Sequence, residues 1–337
     1  MTLIVKIDPL KIDERKIKLC ADLIKKGKVI AFPTETVYGL GADCFNERAV
    51  KRIFEIKGRP SDNPLIVHIA TYTQLRKVVK ELPLDVVKLM ELFWPGPITF
   101  VLKKRKEIPD IVTANLDTVA VRMPSHKVAR NLIEKAGPIA APSANLSGKP
   151  SPTSFQHVFN DLYGKVDCII DSGTTTIGLE STVVLCTQKP YKILRPGYIT
   201  LEDLKEIIKD IEYKDDIEKP LSPGMKYKHY APDAEMIIIT GSVKEKLMKI
   251  EKILEESKDK KIGLCYYSLE LKEIANNFNF SYFLGNSYEQ IALSLFSSLR
   301  EMDNKNVELI LFEGVEEKGL GYSIMNRLKK ASGYNIL

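Results

Sequence analysis

Apolar residues recur at helical spacing at Ile17, Cys20, Ala21 and Ile24, the run stops at Gly27, and Val29-Ile30-Ala31-Phe32 follows as a buried strand. A second stripe, Ala49, Val50, Ile53 and Phe54, predicts a helix that delivers Lys57 at its C-terminal end. Leu65-Ile66-Val67-His68-Ile69 is the next strand. The same reading gives helices near 73–81, 84–93 and 126–136, and strands near 98–102, 118–123, 138–142, 166–170, 181–187 and 191–194. A helix from Leu201 to Asp210 closes a first domain of residues 1–210. Helices and strands that alternate in this way predict an α/β fold.

From 211 to 232 the periodicity dissolves into charge, proline and the run Ser222-Pro223-Gly224-Met225-Lys226-Tyr227-Lys228-His229-Tyr230-Ala231-Pro232. A bare linker has no need of so many aromatics, so this segment reads as a linker with a task. Beyond it, strand-like segments at 235–239, 261–265, 280–284 and 307–312 alternate with helices near 243–257 and 287–301. They predict a smaller parallel-sheet domain over 233–337.

Charge divides unevenly. The chain of 337 residues carries a net +6, of which residues 1–232 hold +8 and 233–337 hold −2. An anionic partner therefore belongs to the first part, where the excess suits a polyphosphate ligand or transient contact with RNA. The five cysteines form no C-x-x-C pair and sit mostly among apolar neighbours, which predicts buried thiols in a reducing compartment. No apolar run reaches the roughly 20 residues of a membrane span, and charge interrupts the first residues too early for a secretory signal. The expected location is the cytoplasm.

Candidate chemistry lies in loops at strand ends. Lys57-Gly58-Arg59-Pro60-Ser61-Asp62-Asn63-Pro64 crowds cationic and amide groups onto a backbone stiffened by two prolines, which should keep Lys57, Arg59 and Asn63 from collapsing together. It is either an anion holder or a solvated basic turn. Pro33-Thr34-Glu35-Thr36-Val37-Tyr38-Gly39-Leu40-Gly41 places hydroxyls, a carboxylate and a phenol at a strand end, with glycines that permit close backbone approach. Ser143-Ala144-Asn145-Leu146-Ser147 follows another strand, and Gly178-Leu179-Glu180-Ser181-Thr182 and Arg195-Pro196-Gly197 flank two more. Arg122, enclosed by Val119, Ala120, Val121 and Met123, needs a compensating group. The dinucleotide fingerprint and the P-loop are both missing, and no His/Cys spacing suggests a metal site made by the protein. No nucleophile elbow occurs either.

The motifs Pro33-Thr34-Glu35-Thr36-Val37-Tyr38-Gly39-Leu40, Lys57-x-Arg59-Pro60, Asn63-Pro64-Leu65, Trp94-Pro95-Gly96-Pro97, Val121-Arg122-Met123-Pro124, Pro142-Ser143-Ala144-Asn145 and Glu180-Ser181-Thr182 together resemble the YrdC-like threonylcarbamoyl-AMP synthase family. They span about the first 200 residues in order, and the remainder resembles the two-domain form. The resemblance implies a YrdC-like twisted mixed sheet with flanking helices, plus a smaller Rossmann-like α/β domain. It implies formation of L-threonylcarbamoyladenylate and pyrophosphate from L-threonine, bicarbonate and ATP, for the threonylcarbamoyl group of ANN-decoding tRNAs. ATP contacts fall on Arg59, Asn63, Thr118, Ser143, Ser151, Arg195 and Tyr227, with Lys57 beside the phosphates. Threonine contacts fall on Thr36, His68, Arg122, the backbone at Ala141, and Ser181. Lys57 and Arg59 would neutralise charge on departing pyrophosphate, with Mg2+ carried by the nucleotide and the 211–232 segment folded over the pocket as a lid. The resemblance also implies a transferase partner that receives the product, and the basic first domain leaves room for weak contact with tRNA. An RNA-binding module is the rival reading, but no aromatic stacking platform supports it. Carbamoyl-adenylate formation in hydrogenase maturation is disfavoured because the cysteine-pair zinc motifs are missing.

Overall fold

The computed structural model describes residues 1–213 and 230–337 and divides the chain into two compact units. Among the described residues the first comprises 1–147 and 151–213, the second 148–150 and 230–337. Tyr227 and most of the expected lid lie outside the described residues.

In the first unit the strands are β1 (Leu3–Lys6), β2 (Ile30–Phe32), β3 (Gly39–Asp43), β4 (Ile66–His68), β5 (Ile98–Lys103), β6 (Thr118–Arg122), β7 (Ile139–Ala141), β8 (Cys168–Asp171), β9 (Thr182–Leu185), β10 (Tyr191–Arg195) and β11 (Ile211–Tyr213). They form one mixed sheet in the order β1-β8-β2-β3-β7-β4-β6-β5-β9-β10-β11. Its helices are α1 (Glu14–Lys25), α2 (Glu47–Lys57), α3 (Tyr72–Val78), α4 (Leu84–Phe93), α5 (Asp110–Thr113), α6 (Lys127–Ala136), α7 (Phe155–Leu162) and α8 (Leu201–Lys205). Asp13 caps α1 by accepting the amides of Arg15 and Lys16, and the predicted stripe Ile17, Cys20, Ala21 and Ile24 is its buried face. Asn46 caps α2. Gly58, at φ 62°, ends α2 in the left-handed conformation that glycine adopts without strain, and so turns the chain into the Arg59 loop.

The two faces of this sheet are covered differently. On one, α2, α3, α4 and α7 contribute to a large core with Val67, Phe100, Val119 and Val121. On the other, α1 and α6 cover only the β1–β7 half, packing Ile17, Ile24, Leu132 and Ile133 on Ile30, Phe32, Ile139 and Ile170. The remaining half of that face carries a small cluster made of strand residues alone: Ile66, Val101, Ala120, Val183 and Leu194. Alternation along the strands puts Thr118, Ala120 and Arg122 on this face together.

Several differences from the sequence reading have physical causes. Gly39–Asp43 is a strand, not loop, because its glycines carry no apolar signal. A Cβ at Gly41 would stand 2.6 Å from Ile139 and 2.7 Å from the Phe32 ring, so this glycine serves sheet packing. Ile211–Tyr213, read as linker, pairs in parallel with β10. The edge strand β1 is too short to stand out, whereas α7 carries Phe155, Val158, Phe159 and Leu162 at helical spacing, a signal the sequence reading passes over.

The second unit holds β12 (Glu235–Ile239), β13 (Ile262–Tyr266), β14 (Phe280–Phe283) and β15 (Leu309–Glu313), with α9 (Val243–Glu256), α10 (Leu269–Ile274), α11 (Tyr288–Asn304) and α12 (Leu320–Ala331). Its sheet is parallel in the order β12-β15-β13-β14, the Rossmann-like pattern expected. A capping box between Ser242 and Glu245 starts α9. At the end of β15 the fully buried Glu313 accepts the Lys246 ammonium at 3.0 Å and the amides of Tyr267 and Ser268 at 2.8 and 3.0 Å.

Candidate functional site

The sheet register assembles a polar row at one end of the sheet half over which α1 and α6 do not extend. His68 pairs with Arg122 across β4 and β6, and Arg122 with Thr99 across β6 and β5. Ser181 precedes β9 beside Thr99, their hydroxyls 2.7 Å apart. The six-residue loop between β2 and β3 brings Thr36 to the same place, where its hydroxyl accepts from Arg122 Nη1 at 2.8 Å. Thr36, His68, Arg122 and Ser181 are all buried and gather here, while Ala141 ends β7, whose residue Ile139 pairs with His68.

The group that compensates Arg122 is Glu35, whose Oε1 lies 2.6 Å from Nη2 with both side chains almost wholly buried. Burial pushes the Glu35 carboxyl up, but the charge and hydrogen bond of Arg122 outweigh it and leave the group below its ordinary range. His68 is pushed down to about 3, first by burial and then by Arg122, so its ring is neutral at physiological pH. Burial lowers His126, near Glu35, in the same direction.

Arg195, at the end of β10, links this row to the neighbouring loops. Its Nε and Nη2 donate to Ser181 O at 3.1 and 2.9 Å, and Nη2 also donates to Ser181 Oγ at 3.1 Å. Gly197 permits the approach, since a Cβ there would come within 2.6 Å of the Ser181 carbonyl carbon. One residue earlier, Glu180 accepts the Ser151 hydroxyl at 2.5 Å, with both side chains buried.

At the other end of the strands lie Arg59, Asn63 and Thr118. Thr118 and Arg122 bound β6, so the two ends are ~13 Å apart along it. The loop does not hold its groups apart as the prolines suggested: Arg59 Nη2 folds back to the carbonyls of Asn63 and Pro64 at 3.3 and 3.4 Å. Arg59 also lines an open groove of about 440 Å³ with Lys51, Phe54, Pro60 and Ile111. Asn63 is fully buried, and neither its Oδ1 nor its Nδ2 has a hydrogen-bond partner. Lys57 turns inward, its ammonium donating to the carbonyls of Ser143 and Asn145, both at 2.5 Å. It therefore ties α2 to the loop in which Ser143 Oγ donates to Asn145 Oδ1.

The sequence reading notes Glu35 and Glu180 within strand-end motifs but gives them no role in the site, and it does not single out Thr99. Glu35 could have been matched to Arg122, which the sequence reading leaves in need of a compensating group; Thr99 gives no signal, being one hydroxyl in an apolar strand.

Fold and geometry thus define a two-unit α/β protein that gathers cationic and hydroxyl groups at both ends of the sheet half over which α1 and α6 do not extend. A family profile described as telomere recombination, for the Sua5, YciO and YrdC proteins, matches residues 22–197. A profile for the C-terminal domain of threonylcarbamoyl-AMP synthase matches residues 199–333. The threonylcarbamoyl-AMP synthase of Pyrococcus abyssi is 50% identical over 100% of this chain and 99% of its own length. That of Bacillus subtilis is 44% identical over 98% and 96%. The crystal structure of P. abyssi Sua5 complexed with L-threonine matches with a TM-score of 0.94 at 50% identity, covering 100% of this chain and 99% of that one. E. coli YciO matches the first part at a TM-score of 0.54 and 27% identity, covering 58% of this chain and 96% of its own. The chain belongs to the Sua5/YciO/YrdC family, in the form that carries the threonylcarbamoyl-AMP synthase C-terminal domain.

Proposed function

We propose that this chain is an L-threonylcarbamoyl-AMP synthase, a nucleotidyltransferase that converts L-threonine, bicarbonate and ATP into threonylcarbamoyl-AMP and pyrophosphate for modification of ANN-decoding tRNAs. The observation that carries the reading is the Arg122 row joined through Ser181 to Arg195, with the unpartnered amide of Asn63 at the far end of the same strands. Threonine sits at Thr36, His68, Arg122, the Ala141 backbone and Ser181, with its carboxylate on the Arg122 guanidinium. ATP takes Arg59, Asn63, Thr118, Ser143, Ser151 and Arg195, and Tyr227 from the 211–232 lid.

The chemistry asks for positioning and charge neutralisation rather than a protein nucleophile. The threonine amine adds to the carbon of bicarbonate and water leaves, giving N-carboxythreonine; one of its carboxylate oxygens attacks the α-phosphorus, the bond to the pyrophosphate oxygen breaks, and pyrophosphate leaves with that electron pair. Arg59 supplies cationic charge, and Lys57 acts from beneath by fixing the Ser143–Asn145 loop. Mg2+ held by the phosphates neutralises charge when bound; among the described residues no three His, Cys, Asp or Glu cluster to hold it independently. The product passes to a transferase acting on tRNA.

Pyrophosphate release measured with threonine or bicarbonate omitted in turn tests the reading. Release should require both, without added tRNA, and Arg122→Ala should lower kcat/KM for threonine roughly 10- to 150-fold, the loss expected when a hydrogen bond to a charged group is removed. Release that does not depend on threonine refutes the assignment.

A further inference from the structure

The hydroxyl network behind Arg122 has a fixed direction. Thr34 Oγ1 lies 2.6 Å from the Val37 carbonyl, which cannot donate, so the single Thr34 proton goes there. Thr36 Oγ1 lies 2.9 Å from Thr34 Oγ1, and must therefore be the donor of that bond. Thr36 Oγ1 also accepts from Arg122 Nη1 at 2.8 Å, because a guanidinium cannot accept. The amides of Thr36 and Val37 approach Thr34 Oγ1 at 3.2 and 3.3 Å, so the hydroxyl at 2.9 Å is its nearest donor. One proton and one lone pair of Thr36 are thus committed, and what it can offer a ligand is its second lone pair.

We propose that Thr34 is a positioning residue for substrate orientation: it draws the Thr36 proton away from the ligand, so that Thr36 receives the amino nitrogen of the amino acid and rejects its carboxylate. This rests on the reading of Thr36, His68, Arg122 and Ser181 as the amino-acid subsite. Arg122 gives one N–H to Thr36 and one to Gly96 O and pairs with Glu35 through Nη2, which leaves N–H groups on Nη1 and Nη2 for a carboxylate. A carboxylate on Arg122 carries its α-nitrogen one carbon away, next to Thr36 Oγ1, whereas the side-chain hydroxyl is one bond farther. The nitrogen stays a donor throughout: the ammonium, the free amine and the carbamate nitrogen each keep at least one N–H. The same lone pair can therefore hold it before and after carboxylation.

The test is calorimetric binding to the full chain of L-threonine, of (R)-3-hydroxybutanoate, which lacks only the amine, and of L-2-aminobutyrate, which lacks only the hydroxyl. Thr34→Val frees the Thr36 proton to turn toward the ligand. The preference for L-threonine over (R)-3-hydroxybutanoate should then fall about tenfold, as loss of a hydrogen bond to a charged group predicts. Thr34→Ser should retain the wild-type preference, L-2-aminobutyrate should weaken in step with threonine, and Thr34→Ala replaces the valine variant if that does not fold. Equal weakening of threonine and (R)-3-hydroxybutanoate marks a merely structural role and overturns the proposal. An unchanged preference, or a shift that appears against L-2-aminobutyrate instead, also overturns it. Thr36→Val separates the two levels. If it leaves threonine affinity intact, the subsite reading fails and the proposal with it; if it weakens threonine while Thr34→Val leaves the preference intact, only the proposal fails.

Discussion

Asn63→Leu should make the protein more stable and worse at its task. Asn63 is fully buried with both amide atoms unpartnered, and each such group costs about 1–3 kcal/mol. Leucine has the same branching, so it removes both polar atoms while filling the space; slight overpacking offsets about 1 kcal/mol. Taking the lower half of the range for each atom, the ligand-free protein gains about 1–3 kcal/mol, or roughly 3–9 °C in Tm for a unit of this size. ATP at 100 times its Kd stabilises the wild type by about 2.7 kcal/mol, and that increment should largely vanish in the variant. Thermal unfolding with and without ATP reads both effects together. A variant that melts lower without ATP, or keeps the full ATP increment, would refute the argument that Asn63 is held unsatisfied for a nucleotide.

Two further outcomes concern charge. His68 has a folded-state pKa of about 3, below its unfolded value near 6.5, so the unfolded chain takes up the proton first as pH falls. Stability is unaffected above pH 6.5 and declines from there toward pH 3, by about 2 kcal/mol at pH 5; denaturant melts at pH 7.5 and 5 should show this loss reduced in His68→Asn, and an unchanged loss counts against it. In the second unit, Glu313→Ala strands Lys246 and two amides and should cost about 3–5 kcal/mol, whereas Glu313→Gln with Lys246→Met keeps an acceptor for Tyr267 and Ser268 and should recover most of it. Urea titrations of both variants decide, and a single variant as stable as wild type would show that the pair carries no such weight.

By itself the sequence determined what periodicity and motif spacing encode. The stripe Ile17, Cys20, Ala21 and Ile24 became the buried face of α1, the apolar runs at 66–68 and 118–122 became adjacent strands, and alternation after residue 233 became a parallel sheet. These follow from local geometry, because burying one face of a helix or strand fixes where its apolar residues stand. The strand-end motifs likewise named most residues that the structure gathers at the Arg122 row. Only tertiary structure decided how their groups are committed. Lys57 faces inward to the Ser143 and Asn145 carbonyls rather than outward, Glu35 answers Arg122, Thr99 touches Ser181, and the Thr34–Thr36 pair acquires a direction. Each depends on groups brought together across strands from distant parts of the chain. A buried donor must find its acceptor wherever the fold places one, and sequence spacing does not record that place.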